Sequence, residues 1–299
     1  MSGLNIGVIG AGLMGHGIGY LLAAAGHDVR IYDPSAQWRD SLSERLESAR
    51  TLLGGDPALL GRISAHEQME PAMKDVAFVF EAAPEKLPLK QQLFAELEAL
   101  TAPTTILASN SSAIPSTRIG EKLKHRERVV GTHFWNPPHL VPLVEVTQNE
   151  KTSDETVART MALLRDAGRN PVHVKKDIPG FVGNRLQHAL WREAIALVEN
   201  GICDAETVDT VVKASFGRRL AVLGPLENAD LVGTDLTLAI HKTVLPDIDQ
   251  RPGPSPYLEA LAASGKLGFK SGEGFRSWSA DEQAALRSKV LQHLKRARE

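Results

Sequence analysis

His133 and Glu145 are the two side chains best suited to chemistry in this chain. The apolar run Val129-Val130-Gly131-Thr132-His133-Phe134 delivers the histidine, and a turn through Trp135-Asn136-Pro137-Pro138 follows. A second apolar run, Leu143-Val144-Glu145-Val146, carries the acid. An imidazole held by a carboxylate can take up a proton near neutral pH, because its unperturbed pKa lies there. A lone histidine ending an apolar strand is otherwise a structural residue bonded to backbone. Glu145 shifts the balance, because an acid inside an apolar run is either exposed or partnered. A strand, a proline-rich turn and a second strand can bring it back beside His133.

The run Gly10-Ala11-Gly12-Leu13-Met14-Gly15 fits GxGxxG. That motif is weak alone, but here it follows an apolar strand, opens a helix, and precedes a second strand ending in Asp33. Gly10 permits the tight turn, Gly12 lets the backbone approach a pyrophosphate, and Gly15 lets helix and strand pack closely. Leu13 and Met14 complete the cofactor loop, and the helix N-terminus supplies N–H groups and a positive dipole for phosphates. Asp33 would bond ribose hydroxyls and repel a 2′-phosphate, which favours NAD over NADP. Arg30 and Arg39 flank it and weigh the other way. A glycine-rich turn with no ligand is the bland alternative, and this context argues against it. A nicotinamide cofactor beside a His–Glu base points to hydride transfer from a carbon bearing a hydroxyl.

Ser109-Asn110-Ser111-Ser112 is a second polar cluster after a strand. It also reads as a helix N-cap region, and one hydroxyl can cap while another faces a ligand. Asn184 lies early in the helix after Pro179-Gly180, where a solvated or capping role is the ordinary one. No metal-ligand spacing links the histidines or the single cysteine, so no metal is expected.

Strands are predicted at Leu4 to Ile9, Val29 to Asp33, Val76 to Phe80, Thr104 to Ala108, Val129 to Phe134, Leu143 to Thr147 and Val172 to Lys175. Helices at Met14 to Ala25, Gln37 to Leu53 and Leu87 to Leu100 alternate with them, which implies an α/β fold with a mostly parallel sheet and helices on both faces. After Asp177-Ile178-Pro179-Gly180 strand signals nearly vanish. Phe181 to Asn200 reads as one long helix, Asp204 to Ala214 as a second with Asp204 as its N-cap, and further helical runs follow Pro225, around Tyr257 to Ala263, and from Ala280. The expected organisation is an NAD-binding Rossmann-like domain over 1–177 and an all-helical domain over 178–299. Gln250 to Pro256 is the most loop-like stretch.

The net charge of -2 gives no general electrostatic case for nucleic acid or an anionic membrane. Lys295-Arg296-Ala297-Arg298 reads as a solvated helix terminus favoured by the dipole. Cys203 is the only cysteine, so no internal disulfide can form, which fits a cytoplasmic location. No apolar run approaches a membrane span, and no charged segment precedes an apolar one at the start of the chain.

Together these elements resemble the L-3-hydroxyacyl-CoA dehydrogenase family. The likeness runs over nearly the whole chain: the N-terminal fingerprint, Ser109 to Ser112, His133 to Pro137, Leu143 to Val146, Asp177 to Arg185, and Gly268 to Phe275. The resemblance implies that His133 is the general base and that Glu145 orients it and stabilises the imidazolium. It implies that Ser112 and Asn184 bind the substrate oxygen, and that Glu85, Lys90, Ser112 and Asn136 lie around the nicotinamide and its ribose. It further implies a Rossmann-like domain joined to a helical domain that closes the cleft and forms a homodimer, with a role in fatty acid metabolism.

Two departures bear on the substrate. The turn Pro138-His139-Leu140-Val141-Pro142 looks more like relatives acting on small free hydroxy acids, of gulonate, carnitine or pyridine-ring type. His139 there is either a substrate contact or, more commonly, an exposed turn residue. Acyl-CoA members also carry a longer, lysine-rich excursion after the second strand. Ser41 to Met69 is short here and holds no lysine, only Arg45, Arg50 and Arg62. The leading reading is NAD-dependent oxidation of a secondary alcohol, L-3-hydroxyacyl-CoA or a related 3-hydroxy acid. The alternative is a small free hydroxy acid or hydroxymethyl compound without CoA. A non-catalytic NAD-binding protein, like the lens crystallin branch, is disfavoured by the intact Ser112, His133, Glu145 and Asn184. A β-hydroxyacid dehydrogenase with a catalytic lysine is disfavoured because Arg185 follows Gly183-Asn184.

Overall fold

The computed structural model describes residues 3–297. Arg298, the last residue of the basic run, lies outside them, as does the end of the expected 178–299 domain. The chain divides into two compact units, Met1–Asn184 with Gln292–Glu299, and Arg185–Leu291.

The first unit alternates strands and helices: β1 (Asn5–Ile9), α1 (Gly15–Ala24), β2 (Asp28–Tyr32), α2 (Ala36–Asp40), α3 (Leu42–Leu53), β3 (Ile63–His66), α4 (Met69–Met73), β4 (Phe78–Glu81), α5 (Leu87–Leu100), β5 (Ile106–Ser109), α6 (Ser116–Ile119), β6 (Val129–Phe134), β7 (Leu143–Thr147), α7 (Asp154–Asp166) and β8 (Asn170–Val174). The eight strands form one sheet in the order β3-β2-β1-β4-β5-β6-β7-β8. Every neighbouring pair is parallel except β6 and β7. The strand order reverses beside β1, which is the switch point where open α/β sheets bind ligands, beyond the carboxyl ends of the strands.

Side chains of successive strand residues go to opposite faces, and both faces are buried. Ile6, Val8, Phe78, Phe80, Ile106 and Ala108 pack with α1, α3 and α7 on one face. Ile9, Val79 and Leu107 pack with α4, α5 and α6 on the other. The apolar runs are therefore nearly continuous, as the sequence shows.

α4, α6 and α7 were not predicted, β4 and β5 each begin two residues later than expected, and four further elements differ. The helix predicted over Gln37 to Leu53 is two helices broken at Ser41, whose hydroxyl donates to the Gln37 carbonyl at 2.8 Å and competes with the main-chain ladder. β3 was not predicted; Ile63-Ser64-Ala65-His66 has little apolar pattern and owes its form to pairing with β2 at the sheet edge. The last strand is Asn170–Val174 rather than Val172 to Lys175, and it admits Pro171 because it too is an edge. The long helix begins at Gly183 rather than Phe181, because Phe181 has φ 49° and cannot join a right-handed helix.

In the second unit α8 (Gly183–Glu199) continues, followed by α9 (Ala205–Ala214), α10 (Pro225–Val232), α11 (Thr234–Val244), α12 (Pro256–Ala263) and most of α13 (Ala280–Arg296), whose residues from Gln292 count with the first unit. Asp204 caps α9 by accepting from Thr207 N–H at 2.7 Å.

Candidate active site

The carboxyl ends of β1, β4, β5 and β6 bring Gly10, Glu81, Ser109 and His133 to one edge of the sheet. The antiparallel pairing of β6 and β7 sets His133 directly opposite Glu145. Both side chains are buried, and His133 Nδ1 lies 2.8 Å from Glu145 Oε2. A carboxylate only accepts, so Nδ1 carries the hydrogen and Nε2 holds the lone pair when the ring is neutral. The second carboxylate oxygen, Oε1, accepts from Val182 N–H at 2.9 Å and Gly183 N–H at 3.0 Å, at the start of α8. Burial pushes the Glu145 carboxyl up, but the bond from His133 and those from Gly183 and Val182 outweigh it and hold it below its ordinary 4.5. It is therefore a fixed negative charge at neutral pH.

Aromatic rings wall the imidazole. Trp135 lies 5.2 Å from it and Phe181 5.5 Å, centroid to centroid. Trp135 also packs against the start of α8, where a Cβ on Gly183 would come within 2.4 Å of its Cζ2. Asn110 Oδ1 accepts from Phe134 N–H at 2.9 Å and ties the end of β5 to the end of β6.

Ser112 and Asn184 meet: Asn184 Nδ2 donates to the Ser112 carbonyl at 3.0 Å. The turn carrying Ser112 is gathered by Glu85, whose Oε1 accepts from Ser111 Oγ at 2.5 Å and from Ser112, Ala113 and Ile114 N–H at 3.1, 3.0 and 3.2 Å. These bonds use the Ser112 main chain and leave its hydroxyl out. Burial pushes the Glu85 carboxyl up, and the Ser111 hydroxyl, the Ala113 N–H, the Lys90 charge and the Ile114 N–H together hold it lower.

Lys90 is only 1% exposed, and its ammonium sits 2.7 Å from Glu81 Oε1, 3.2 Å from the Ala83 carbonyl and 3.5 Å from Glu85 Oε2. Glu81 is fully buried and also accepts from Ser109 Oγ and Ala83 N–H, each at 2.7 Å. Two hydrogen bonds and a further ion pair therefore hold the Lys90 ammonium. Asn136 is exposed at the start of the turn after β6. Its neighbour His139 is not the exposed turn residue that is commonest in such loops. It is 8% exposed, packs on α1 at Gly17, and lies 6.0 Å from the His16 ring.

The glycine loop fits a dinucleotide. Gly10 has φ 95°, and a Cβ there would meet the Ala82 carbonyl oxygen at 2.9 Å. A Cβ on Gly12 would meet nothing within 4 Å, so the backbone borders open space there. The N-terminus of α1, next to Leu13 and Met14, has no side-chain cap and no acid in its first turn. No side chain therefore competes with an anion for that helix end. From within the protein, Arg45 donates to the carbonyls of Ala11 and Gly12, and His16 bonds the Gly12 carbonyl at 2.9 Å. Asp33, at the end of β2, accepts from Ala11 N–H at 2.8 Å and Ser35 N–H at 2.9 Å. Arg39 donates to the Asp33 carbonyl at 2.8 Å, while Arg30 is turned away to the Lys74 carbonyl. A Cβ on Gly15 would lie 1.8 Å from the Gly10 carbonyl oxygen. Gly15→Ala must therefore push the loop off its place, at a cost of roughly 1–3 kcal/mol. The expected result is NADH binding weaker by about 10–100-fold in a fluorescence titration.

Glu81, Phe181, His16 and the role of Arg45 in the loop escaped sequence reasoning. Glu81 carried a signal of the same kind as Glu145, an acid inside Phe78-Val79-Phe80-Glu81. The left-handed backbone of Phe181 carried none.

Comparison with known proteins identifies the family. Residues 5–178 match the 3-hydroxyacyl-CoA dehydrogenase, NAD binding domain, and residues 180–278 match the 3-hydroxyacyl-CoA dehydrogenase, C-terminal domain. A 5-formyl-3-hydroxy-2-methylpyridine 4-carboxylate 5-dehydrogenase of Mesorhizobium japonicum is 35% identical, over 97% of this chain and 96% of its own. A probable 3-hydroxybutyryl-CoA dehydrogenase of Bacillus subtilis is 37% identical, over 91% of this chain and 96% of its own. The crystal structure of a 5-formyl-3-hydroxy-2-methylpyridine 4-carboxylic acid 5-dehydrogenase, an NAD+-dependent dismutase, superposes with a TM-score of 0.91 at 35% identity, covering 99% of this chain and 97% of that one. With both of its units matched in order, this chain belongs to the 3-hydroxyacyl-CoA dehydrogenase family.

Proposed function

We propose that the chain is an NAD-dependent dehydrogenase that oxidises a CH–OH group with His133 as general base. The observation that carries this reading is the buried His133–Glu145 pair, with Nδ1 committed to the carboxylate. His133 Nε2 accepts the hydroxyl proton, and Glu145 stabilises the imidazolium that forms. NAD+ supplies the acceptor for the hydride leaving the same carbon, so the C–OH becomes C=O. In the reverse direction the imidazolium protonates the forming alkoxide. Ser112 and Asn184 orient the substrate oxygen, a reading supported by the bond that joins them. Glu85 and Asn136 line the nicotinamide ribose, and Lys90 acts there by holding Glu85 through its buried pairing with Glu81.

Gly10, Gly12, Leu13, Met14 and Gly15 hold the pyrophosphate, and Asp33 holds the adenosine ribose. Each Asp33 oxygen spends one lone pair on a main-chain N–H and keeps another for a hydroxyl. A 2′-phosphate would face that carboxylate. NADH should therefore bind at least about tenfold more tightly than NADPH. Equal affinity in parallel fluorescence titrations would remove the role given to Asp33.

Two substrate classes suit this chemistry: a 3-hydroxyacyl-CoA, or a small free hydroxy acid or hydroxymethyl compound. The second is favoured by how the arginines from Ser41 to Met69 are spent. Arg45 is bonded to the glycine loop and to the Trp38 carbonyl, Arg50 to Glu47 and the Gly55 carbonyl, and Arg62 to Asp28. The several phosphate charges of CoA call for cations that are not already matched. The likeness to the pyridine carboxylate dehydrogenase over almost the full length of both chains supports the same reading. The test is an NADH absorbance assay across free hydroxy acids, hydroxymethyl pyridines and acyl-CoA esters. Turnover with acetoacetyl-CoA but not with the free acids would return the substrate to the CoA class. No turnover with any alcohol or ketone would end the dehydrogenase reading.

A homodimer through the helical unit completes the reading. Ala196 is the sole buried apolar residue described between Arg185 and Leu291, while Val222, Leu226 and Leu231 are 88, 80 and 71% exposed. Amphipathic helices that leave such residues in water need a cover, and a second copy supplies it. Sedimentation should give twice the chain mass, and Leu231→Glu should shift it toward the monomer. Among the described residues no helix is long and apolar enough to cross a membrane. The single cysteine, Cys203, supports a cytoplasmic location.

A further inference from the structure

We propose that Phe181 is a positioning residue for His133, fixing the imidazole through its ring and the Glu145 carboxylate through its backbone. The inference rests on the reading of His133 as the base. Phe181 has φ 49°, follows Gly180 at φ 75°, and is 1% exposed. The left-handed region is disfavoured for a bulky L residue, and a glycine would hold the same turn without that strain. A phenylalanine kept there points to a use for its ring. Asp75, the other described non-glycine residue with positive φ, is of a type that tolerates this conformation.

The ring of Phe181 lies 5.5 Å from the His133 ring at 48°. The hydrogen bond from Nδ1 to Glu145 anchors one corner of the imidazole but leaves it free to tilt about that bond. An aromatic wall removes the tilt, so that Nε2 faces one direction. The same residue turns the chain so that the next two N–H groups, of Val182 and Gly183, both reach Glu145 Oε1. Its own N–H closes the turn on the Ile178 carbonyl at 3.1 Å. One residue thus serves both members of the pair, and neither contact is visible in the spacing of His133 and Glu145.

The test uses the full-length protein with 15N-labelled histidine. Wild type should give one sharp Nδ1–H tautomer for His133, assigned by its absence in His133→Gln. Phe181→Leu keeps most of the apolar volume but not the flat wall. It should broaden or split that signal and lower kcat by about 10–100-fold, the scale of a small misplacement, with NADH affinity unchanged. Phe181→Gly keeps the left-handed turn without the ring and should show the same signal change. An unchanged His133 signal in Phe181→Leu overturns the proposal, including the case where turnover falls, because Phe181 would then be ordinary core. Should wild type turn over no substrate, the dehydrogenase reading fails, and the histidine spectra still decide the role of Phe181.

Discussion

His133→Gln should lower turnover by about 10²–10⁴-fold, the range a positioned acid–base group supplies, while leaving NADH affinity within a factor of about two. The reasoning is local. Glutamine can still bond Glu145 and fill much of the same space, so the sheet edge and its buried carboxylate remain in place. What it lacks is a basic nitrogen at the position of Nε2. The glycine loop and Asp33, proposed above to hold the cofactor, lie at β1, α1 and β2, whereas His133 and Glu145 lie on β6 and β7. Stopped-flow NADH formation and fluorescence titration measure the two effects separately. A variant that turns over like wild type would remove the base from the account.

Glu145→Gln should be the next most damaging change, with a loss of roughly 10²-fold or more but no greater than that of His133→Gln. The ceiling follows because Glu145 acts through His133, so removing both should cost little more than removing His133 alone. The amide keeps the shape and one acceptor but cannot stabilise an imidazolium. The stability effect has a defined sign. The Glu145 carboxyl is held below its ordinary 4.5 in the folded chain, with burial opposing and the bonds from His133, Gly183 and Val182 prevailing. Its contribution to stability is therefore complete above 4.5 and is lost as pH falls through the lowered folded value. Urea unfolding should show wild type more stable than Glu145→Gln at neutral pH, with the gap closing only below 4.5. A gap that is constant down to acid pH would mean that the carboxylate is not held as described.

These effects are largely legible in the sequence, because they depend on strands. The predicted bounds of β6 and β7 coincide with those observed, Val129–Phe134 and Leu143–Thr147. Those strands could pair across the proline-rich turn and bring the acid beside the histidine, and the observed register sets His133 opposite Glu145. The fingerprint was equally legible, since its glycines answer steric demands that only the strand–turn–helix context imposes. Less legible were features owed to partners distant in sequence. β3 exists because β2 offers it an edge. Lys90 reads as a cofactor contact in the resemblance, and only the folded chain shows Glu81 and Glu85 enclosing its ammonium. His139 reads as a surface residue until α1 is seen to pack against it. In the helical unit the apolar periodicity marks which residues need cover, but periodicity does not name what covers them.

His133 Nε2 is the atom expected to meet the reacting hydroxyl. A crystal structure with NADH and a keto acid or acyl-CoA bound tests this most directly. The substrate oxygen should lie within about 2.6–3.2 Å of Nε2, with Nδ1 still on Glu145. A substrate oxygen bound elsewhere, or an imidazole swung off Glu145 when the ligands are present, would contradict it.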